Sequence, residues 1–166
     1  MLHIGVIGCG YWGPNLIRNF HIAQRSRVTV CADLDARRLE HMRDLYPTLR
    51  VSQDAREVCA DPEIDAVAIA TPVSTHYALA MEALRHGKHV FVENPLALSS
   101  DQCVELAAAA QSRHRTLMVG HTFVYTAAVN KIRDLIHQGE LGTIYYINST
   151  RVNLGVFQPD INVIWD

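Results

Sequence analysis

The stretch Gly8-Cys9-Gly10-Tyr11-Trp12-Gly13 determines the fold expected of this 166-residue chain. It has the pattern G-x-G-x-x-G, follows a β-branched run and leads into a segment with apolar residues at helical spacing. In such a unit Gly8 permits the tight turn, Gly10 lets a pyrophosphate approach the backbone, and Gly13 lets the helix pack against the strand. The stretch therefore predicts a dinucleotide-binding βα unit. The alternative is a glycine-rich turn that binds nothing.

Apolar runs alternate with amphipathic segments along the chain as far as about residue 138. The predicted strands are His3–Ile7, Val28–Ala32, Leu49–Ser52, Ala66–Ala70, His89–Val92 and Leu117–Val119. Strands that alternate with helices favour parallel pairing through right-handed crossovers. The sequence therefore predicts the α/β class and a doubly wound Rossmann sheet of order 3-2-1-4-5-6.

The second strand is followed by an acidic residue, Asp33, twenty residues after the last glycine of the motif. A carboxylate there would accept hydrogen bonds from an adenosine ribose and repel a 2′-phosphate, which favours NAD over NADP, although Arg37 and Arg38 lie nearby. The alternative is a polar residue that merely ends a strand. Tyr11 and Trp12 are interpreted either as a wall beside the cofactor or as core packing beneath the helix.

Further candidate residues follow the fourth and fifth strands, at the sheet edge where such folds bind ligands. Thr71 and Pro72 come directly after the fourth strand, and His76 lies on the next helical turn. His76 either serves the cofactor site or is a capping or packing histidine. Glu93 and Asn94 follow the fifth strand, where a carboxylate could bind a ribose hydroxyl of the nicotinamide half. The alternative is a loop without function.

Composition excludes several other classes of protein. The formal net charge of −2 gives no general attraction to nucleic acid or anionic lipid. No stretch approaches the roughly 20 apolar residues of a membrane span, and the N-terminus lacks the pattern of a signal peptide. His86 and His89 have no carboxylate or thiol at ligand spacing, so no metal site is predicted. The four cysteines are interpreted as reduced core thiols of a cytoplasmic protein.

The pattern changes after Gly142. A helix from about Thr126 to Gln138 is predicted to turn Ala128, Ile132, Leu135 and Ile136 inward. Thr143–Leu154 then alternates with period two, as in a strand of a half-solvated antiparallel sheet. We expect a Rossmann domain at residues 1–122. Residues 123–166 would hold a linking helix and the first strand of a truncated α+β substrate domain. The free strand edge would favour association, including homo-oligomers.

The chain resembles the glucose–fructose oxidoreductase, inositol dehydrogenase and rhizopine-catabolism (Gfo/Idh/MocA) family. The segments that carry the resemblance are Val6–Asn15, Ala70–His76, His89–Ala97, Gly120–Phe123 and Gly139–Gly142. The final stretch, from Arg151 to Asp166, is similar to the branch that acts on nucleotide-linked sugars. This resemblance implies an NAD(P)-dependent oxidoreductase acting on a sugar or nucleotide-sugar. It also implies a cofactor-binding role for His121 and a cis peptide bond between Asn94 and Pro95.

Two departures from the family pattern bear on catalysis. The family usually has Glu-Lys-Pro where this chain has Glu93-Asn94-Pro95, so Asn94 stands at the position of a catalytic lysine. The family's acid/base histidine follows the segment that matches Trp165 and Asp166, where this chain ends. Two hypotheses remain open. One is a sugar oxidoreductase, and the other is a domain that binds NAD(H) without turnover, as a sensor or partner subunit.

Overall fold

A computed structural model describes residues 1–150 of the chain. The strands are β1 (Leu2–Ile7), β2 (Ser26–Ala32), β3 (Arg50–Ser52), β4 (Ala66–Ile69), β5 (His89–Val92) and β6 (Leu117–Val119). The helices are α1 (Gly13–Ile22), α2 (Ala36–Leu45), α3 (Ala55–Ala60), α4 (Val73–Arg85), α5 (Ser100–Ser112) and α6 (Ala127–His137), with a 3₁₀ helix at Thr122–Tyr125. The bounds of each predicted strand differ from the observed ones by at most two residues.

The six strands form one parallel sheet of order β3-β2-β1-β4-β5-β6. This is the predicted doubly wound Rossmann order. The direction of winding reverses between β1 and β4, because β2 and β3 lie to one side of β1 and the later strands lie to the other. The carboxyl ends of β1 and β4 therefore flank a crevice.

Both faces of the sheet are covered by helices, which explains the apolar strand sequences. One core layer combines strand residues such as Ile7 and Ile69 with side chains of α3, α4 and α5. The opposite layer combines Val6 and Cys31 with Ile17 of α1 and side chains of α2. Successive strand residues thus point into opposite layers of the core.

A buried lysine that sequence reasoning did not single out anchors the turn before β5. The Lys88 ammonium donates hydrogen bonds to the carbonyl oxygens of Asp61 at 2.5 Å and Ile64 at 2.8 Å, and the residue is only 5% exposed. Two acceptors compensate for the desolvation of the charge. The contact ties the end of α4 to the loop that leads into β4.

The four cysteines are free thiols. Cys9, Cys31 and Cys59 are buried, while Cys103 is half-buried. Burial raises the pKa of Cys59 to about 11. A hydrogen bond with Cys31, together with burial, raises the pKa of the Cys9 thiol. The interpretation as core thiols therefore fits the three buried residues and fits Cys103 less well.

The prediction for the chain after β6 is wrong in two respects. Helix α6 forms near its predicted bounds, but Ala128, Ile132 and Ile136 are exposed and Leu135 is only half-buried. No strand is present at residues 144–150, the part of the predicted strand that the structure describes, and these residues pair with no other strand within 1–150. Residues 151–154 of that prediction lie outside the described residues. None of the helices within 1–150 has the length and apolarity needed to span a bilayer.

Candidate dinucleotide-binding site

Four loops meet at the carboxyl edge of the sheet, where β1, β4, β5 and β6 end. The ladder continues for one residue beyond the strands, since Ala70 N–H donates to Ile7, Glu93 N–H to Ile69 and Gly120 N–H to Val92, at 2.8–2.9 Å. These bonds fix where each loop begins. The loops after β4, β5 and β6 consequently lie side by side and share a crevice.

The glycine loop has the geometry that its sequence predicted. Gly8 has a φ of +97°, and a Cβ there would lie 2.5 Å from the carbonyl oxygen of Ala70. A Cβ on Gly13 would lie 1.9 Å from the carbonyl oxygen of Gly8, so the start of α1 packs directly on the turn. A Cβ on Gly10 would contact only the Arg38 guanidinium, at 3.5 Å. Only the end of a flexible side chain thus lies opposite Gly10, and no backbone atom blocks the approach of a ligand.

The start of α1 offers backbone donors beside Gly10. Trp12 is the N-cap residue and makes no side-chain cap hydrogen bond, and Pro14 occupies the first turn. The first N–H groups of a helix have no intrahelical partner, and the helix dipole adds partial positive charge there. This arrangement can hold an anionic group such as a pyrophosphate.

Asp33 lies at the end of β2, next to the glycine loop. Its carboxylate accepts hydrogen bonds from the N–H groups of Cys9 at 2.7 Å and Asp35 at 2.8 Å. Arg38 Nη1 lies 3.5 Å from Asp33 Oδ2. Arg37 instead pairs with Asp35 on the solvent side, with a side chain that is 90% exposed. Of the two arginines, Arg38 is thus the one placed at the crevice.

The aromatic pair of the loop is not in the core. Tyr11 is 69% exposed and Trp12 is 51% exposed, and their rings contact each other edge to face with centroids 5.2 Å apart. The packing alternative for these two residues is therefore wrong. Trp12 lines the neighbouring cavity, whereas Tyr11 lies outside it.

A cavity of about 330 Å³ opens between the four loops. Six predicted site residues line it: Trp12, Thr71, His76, Glu93, Asn94 and His121. The other predicted residues, Gly8, Gly10, Tyr11, Gly13, Asp33 and Pro72, lie outside this cavity. The glycines and Asp33 belong to the neighbouring β1–β2 part of the same edge. The predicted residues thus fall into two adjoining groups.

The cavity also contains residues that sequence reasoning missed. They are Ala70, Val73, Gly120, Thr122, Phe123 and Val124. Gly120 was detectable from its position directly after β6, since the residue after a parallel strand lies at this edge. A Cβ on Gly120 would lie 2.9 Å from Glu93 Oε2, so the missing side chain makes room for that carboxylate. Thr122 and Phe123 lie in a segment that carries the family resemblance, but no residue pattern there indicated that they line a cavity.

Two polar residues of the cavity are constrained by their surroundings. Burial raises the pKa of the Glu93 carboxyl, against a smaller opposing effect of a hydrogen bond from the backbone of Asn94. His76 is 2% exposed, and its Nδ1 and Nε2 each lie 2.8 Å from a carbonyl oxygen, of Pro95 and Thr71 respectively. The peptide bond between Asn94 and Pro95 is cis, as the resemblance implied.

Comparison with known proteins identifies the family. A family model described as an oxidoreductase family with an NAD-binding Rossmann fold, GFO_IDH_MocA, matches residues 2–121. The chain belongs to this family. Among similar proteins, UDP-N-acetylglucosamine 3-dehydrogenase of Acidithiobacillus ferrooxidans is 32% identical over an alignment of 171 positions, gaps included, which covers 100% of this chain and 51% of that protein.

Solved structures of similar proteins agree with the fold. GenD2 from gentamicin A biosynthesis, in complex with NAD, has a TM-score of 0.78 and 30% identity over 84% of this chain and 40% of its own. Biliverdin reductase from Synechocystis sp. PCC 6803, in complex with biliverdin and NADP+, has a TM-score of 0.76 and 29% identity over 82% and 43%. The chain spans about half the length of these relatives or less. The first of these two structures contains NAD and the second contains NADP+.

Proposed function

We propose that this chain is the NAD(P)-binding part of an oxidoreductase that transfers hydride between nicotinamide and a hydroxyl-bearing carbon of a sugar or nucleotide-sugar. The observation that carries the proposal is the continuity of two features along one sheet edge. The glycine loop with Asp33 lies on one side of the switch point, and the 330 Å³ cavity lies on the other. A dinucleotide has the same two-part form.

The residues present fit the cofactor. The open face of Gly10 and the uncapped start of α1 suit the two phosphates. Asp33 retains lone pairs for ribose hydroxyls, because each carboxylate oxygen accepts more than one hydrogen bond. We propose NAD as the cofactor in preference to NADP, since the Asp33 carboxylate would repel a 2′-phosphate. Arg38 offsets this repulsion in part, because it lies 3.5 Å from the same carboxylate.

The nicotinamide end belongs in the cavity beside Asn94. A bound nicotinamide would supply or accept the hydride there. The Asn94 amide can donate a hydrogen bond to a substrate oxygen, but it has no titratable proton to move. Glu93 and His121 line the same cavity, and carboxyl and imidazole groups are side-chain types that serve in general acid–base catalysis. An acid/base histidine of the family pattern would come from sequence beyond Asp166.

A second candidate function is supported by Asn94. A chain with an amide in place of the family's lysine lacks both a cationic stabiliser and a proton donor at that point, so it would hold NAD(H) without turnover. Losing general acid–base catalysis typically costs about 10²–10⁴-fold in rate. This candidate and the first share the glycine loop and Asp33, and they differ only in what residue 94 can do.

Two measurements test these proposals. Calorimetric titration of the chain with NADH and NADPH should show tighter binding of NADH, and the absence of any binding would defeat both candidates. The Asn94→Lys substitution in the full-length gene product, assayed for NADH formation with UDP-sugars, then separates them. Turnover that exists before the substitution supports the oxidoreductase, and turnover that appears only after it supports the binding-only candidate.

We also propose the setting in which the protein works. Cysteines stay as free thiols in a reducing compartment, so the free thiols of this chain support a cytoplasmic location. The formal net charge of −2 argues against nucleic acid and anionic membranes as partners. The partners we propose are a sugar or nucleotide-sugar substrate and a second copy of the chain. Within residues 1–150, no group of three His, Cys, Asp or Glu side chains is placed to hold a metal.

A further inference from the structure

His76 is one of two buried polar residues in the part of the chain that the structure describes. It lies on the first turn of α4, and its ring points back toward the strand ends. Nε2 is 2.8 Å from the carbonyl oxygen of Thr71, and Nδ1 is 2.8 Å from the carbonyl oxygen of Pro95. The ring therefore bridges the loop after β4 and the loop after β5. It does not cap its own helix.

The backbone leaves these two loops without another connection. The ladder between β4 and β5 ends where Glu93 N–H donates to Ile69. Beyond that bond, Pro72 and Pro95 have no N–H to donate. Among the backbone hydrogen bonds of residues 1–150, none joins residues 70–72 to residues 94–98. The carbonyl oxygens of Thr71 and Pro95 instead lie against the buried His76 ring, which can supply a side-chain N–H donor.

The number of carbonyl groups that receive a hydrogen bond from the ring depends on how many of its two nitrogens carry a proton. A neutral ring carries one N–H and donates to one carbonyl, whereas an imidazolium donates to both. The carbonyls belong to residues next to the cavity wall, since Thr71 and Asn94 line it. The position of the ring therefore sets the separation of the two loops at this end of the crevice.

We propose that His76 is a positioning residue for the nicotinamide half of the cofactor, acting through the carbonyl groups of Thr71 and Pro95. The inference rests on the proposed NAD(H) binding. It assigns His76 to holding the loops and not to contact with the cofactor. The adenosine half is built from the glycine loop and Asp33, on the other side of the switch point, so loss of the bridge affects one half of the site and spares the other.

The test compares two ligands with two substitutions. NADH occupies both halves of the site, whereas ADP carries the adenosine and both phosphates without the nicotinamide riboside. His76→Met fills the space without a donor, and His76→Gln has a side chain of similar length with an amide donor. Calorimetry on the 166-residue chain should show that His76→Met weakens NADH binding on the order of tenfold, the worth of about one hydrogen bond. ADP binding should be unchanged, and His76→Gln should restore most of the NADH affinity.

Other outcomes overturn the inference. An equal loss for both ligands means that His76 only stabilises the domain, and an unchanged NADH affinity means that the bridge does not shape the site. If the wild-type chain binds neither ligand, the proposed function fails and this inference fails with it. Where His76→Met does not fold, ¹⁵N NMR of the wild-type imidazole gives the answer. The ring nitrogens should shift on adding NADH and not on adding ADP, and an unmoved ring with NADH contradicts the proposal.

Discussion

Asp33 carries two backbone hydrogen bonds of its own, from Cys9 and Asp35, in addition to its expected role toward a ribose. Its carboxylate therefore also holds the glycine loop against the end of β2. Arg38 approaches the same carboxylate to 3.5 Å and lies over Gly10, while the Arg37 side chain turns away to Asp35. Of these two adjacent arginines, Arg38 is thus placed to contact a bound cofactor and Arg37 is not.

We expect Asp33→Asn to shift the preference between cofactors toward NADPH. The substitution removes a negative charge near the expected 2′ position and leaves the Arg38 guanidinium with only its 4.0 Å contact to Asp35. We expect the loss of one charge beside the 2′ position to lower the ratio of the NADPH to the NADH dissociation constant by about tenfold. Calorimetry with both ligands measures the ratio. Arg37→Ala is the matched control and should leave it unchanged. An unaltered ratio in Asp33→Asn would show that residue 33 does not face the 2′ position.

The Glu93 carboxyl should make stability depend on pH. Burial raises its pKa in the folded state, so the folded protein binds this proton more tightly than the unfolded chain does. The stability that this group contributes is therefore complete below its unfolded pKa and is lost as the pH rises through the folded pKa. Glu93→Gln should raise the melting temperature at pH 7 and have little effect at pH 4. Glu40→Gln, at an exposed site on α2, should have no effect at either pH.

At the scale of elements, the glycines of the β1–α1 turn have different tasks. Gly13→Ala places a methyl group 1.9 Å from the Gly8 carbonyl oxygen and should destabilise the domain by about 2–4 kcal/mol. Gly10→Ala meets only the flexible end of Arg38 and should melt close to the wild type. Its NADH affinity should nevertheless fall, because the methyl group occupies the approach to the phosphates. Thermal melts and calorimetry on both variants check this, and a Gly10→Ala chain that binds NADH normally would refute the assigned path.

The strands were predictable because the pattern that identifies each one lies within its own short segment of sequence. Runs such as Ala66–Ile69 and His89–Val92 are apolar on both faces, and turn residues bound them. The surroundings of α6 were not predictable, because helical spacing identifies an apolar face without identifying what covers it. A period-two segment such as Thr143–Leu154 likewise needs a partner strand before it becomes part of a sheet.

The candidate site was likewise predictable only where position along the sequence determines position in the fold. The glycine loop and the residues after β4 and β5 were predictable, because parallel strands bring their carboxyl ends to one edge. The contact between His76 and Pro95 was not, since it joins residues 19 positions apart through a side chain. The exposure of Tyr11 and Trp12 was also undetermined. Large aromatic residues at a turn are compatible with either the core or the surface.

At the scale of the whole molecule, the exposed apolar surface is concentrated after β6. Helix α6 has no buried residue, and Ile132 is 54% and Ile136 is 41% exposed. Tyr145 and Tyr146 are more than four-fifths exposed. The described residues up to the end of β6 have their own two-layer core. This contrast supports our proposal that the Rossmann domain is residues 1–122 and that residues 123–166 belong to another unit.

We expect the 166-residue chain to self-associate through this surface, because contiguous exposed apolar side chains favour contact with another chain. Sedimentation velocity over a range of concentrations should show species larger than a monomer. The double substitution Ile132→Lys and Ile136→Lys should shift the distribution toward monomer without lowering the melting temperature. Lys131→Gln on the same helix is the control and should change neither. A wild-type chain that stays monomeric at high concentration contradicts the expectation.

The buried ammonium of Lys88 makes the chain a reporter of its own unfolding. The sequence contains only two lysines, Lys88 and the exposed Lys131. An amine-reactive ester should therefore label Lys131 rapidly in the native protein, while Lys88 reacts only from molecules that have opened. The ratio of the two labelled peptides in a mass spectrum, followed along a urea gradient, would give the opening equilibrium of the α4–β5 region without an introduced probe. Equal labelling in the absence of denaturant would mean that Lys88 is not protected.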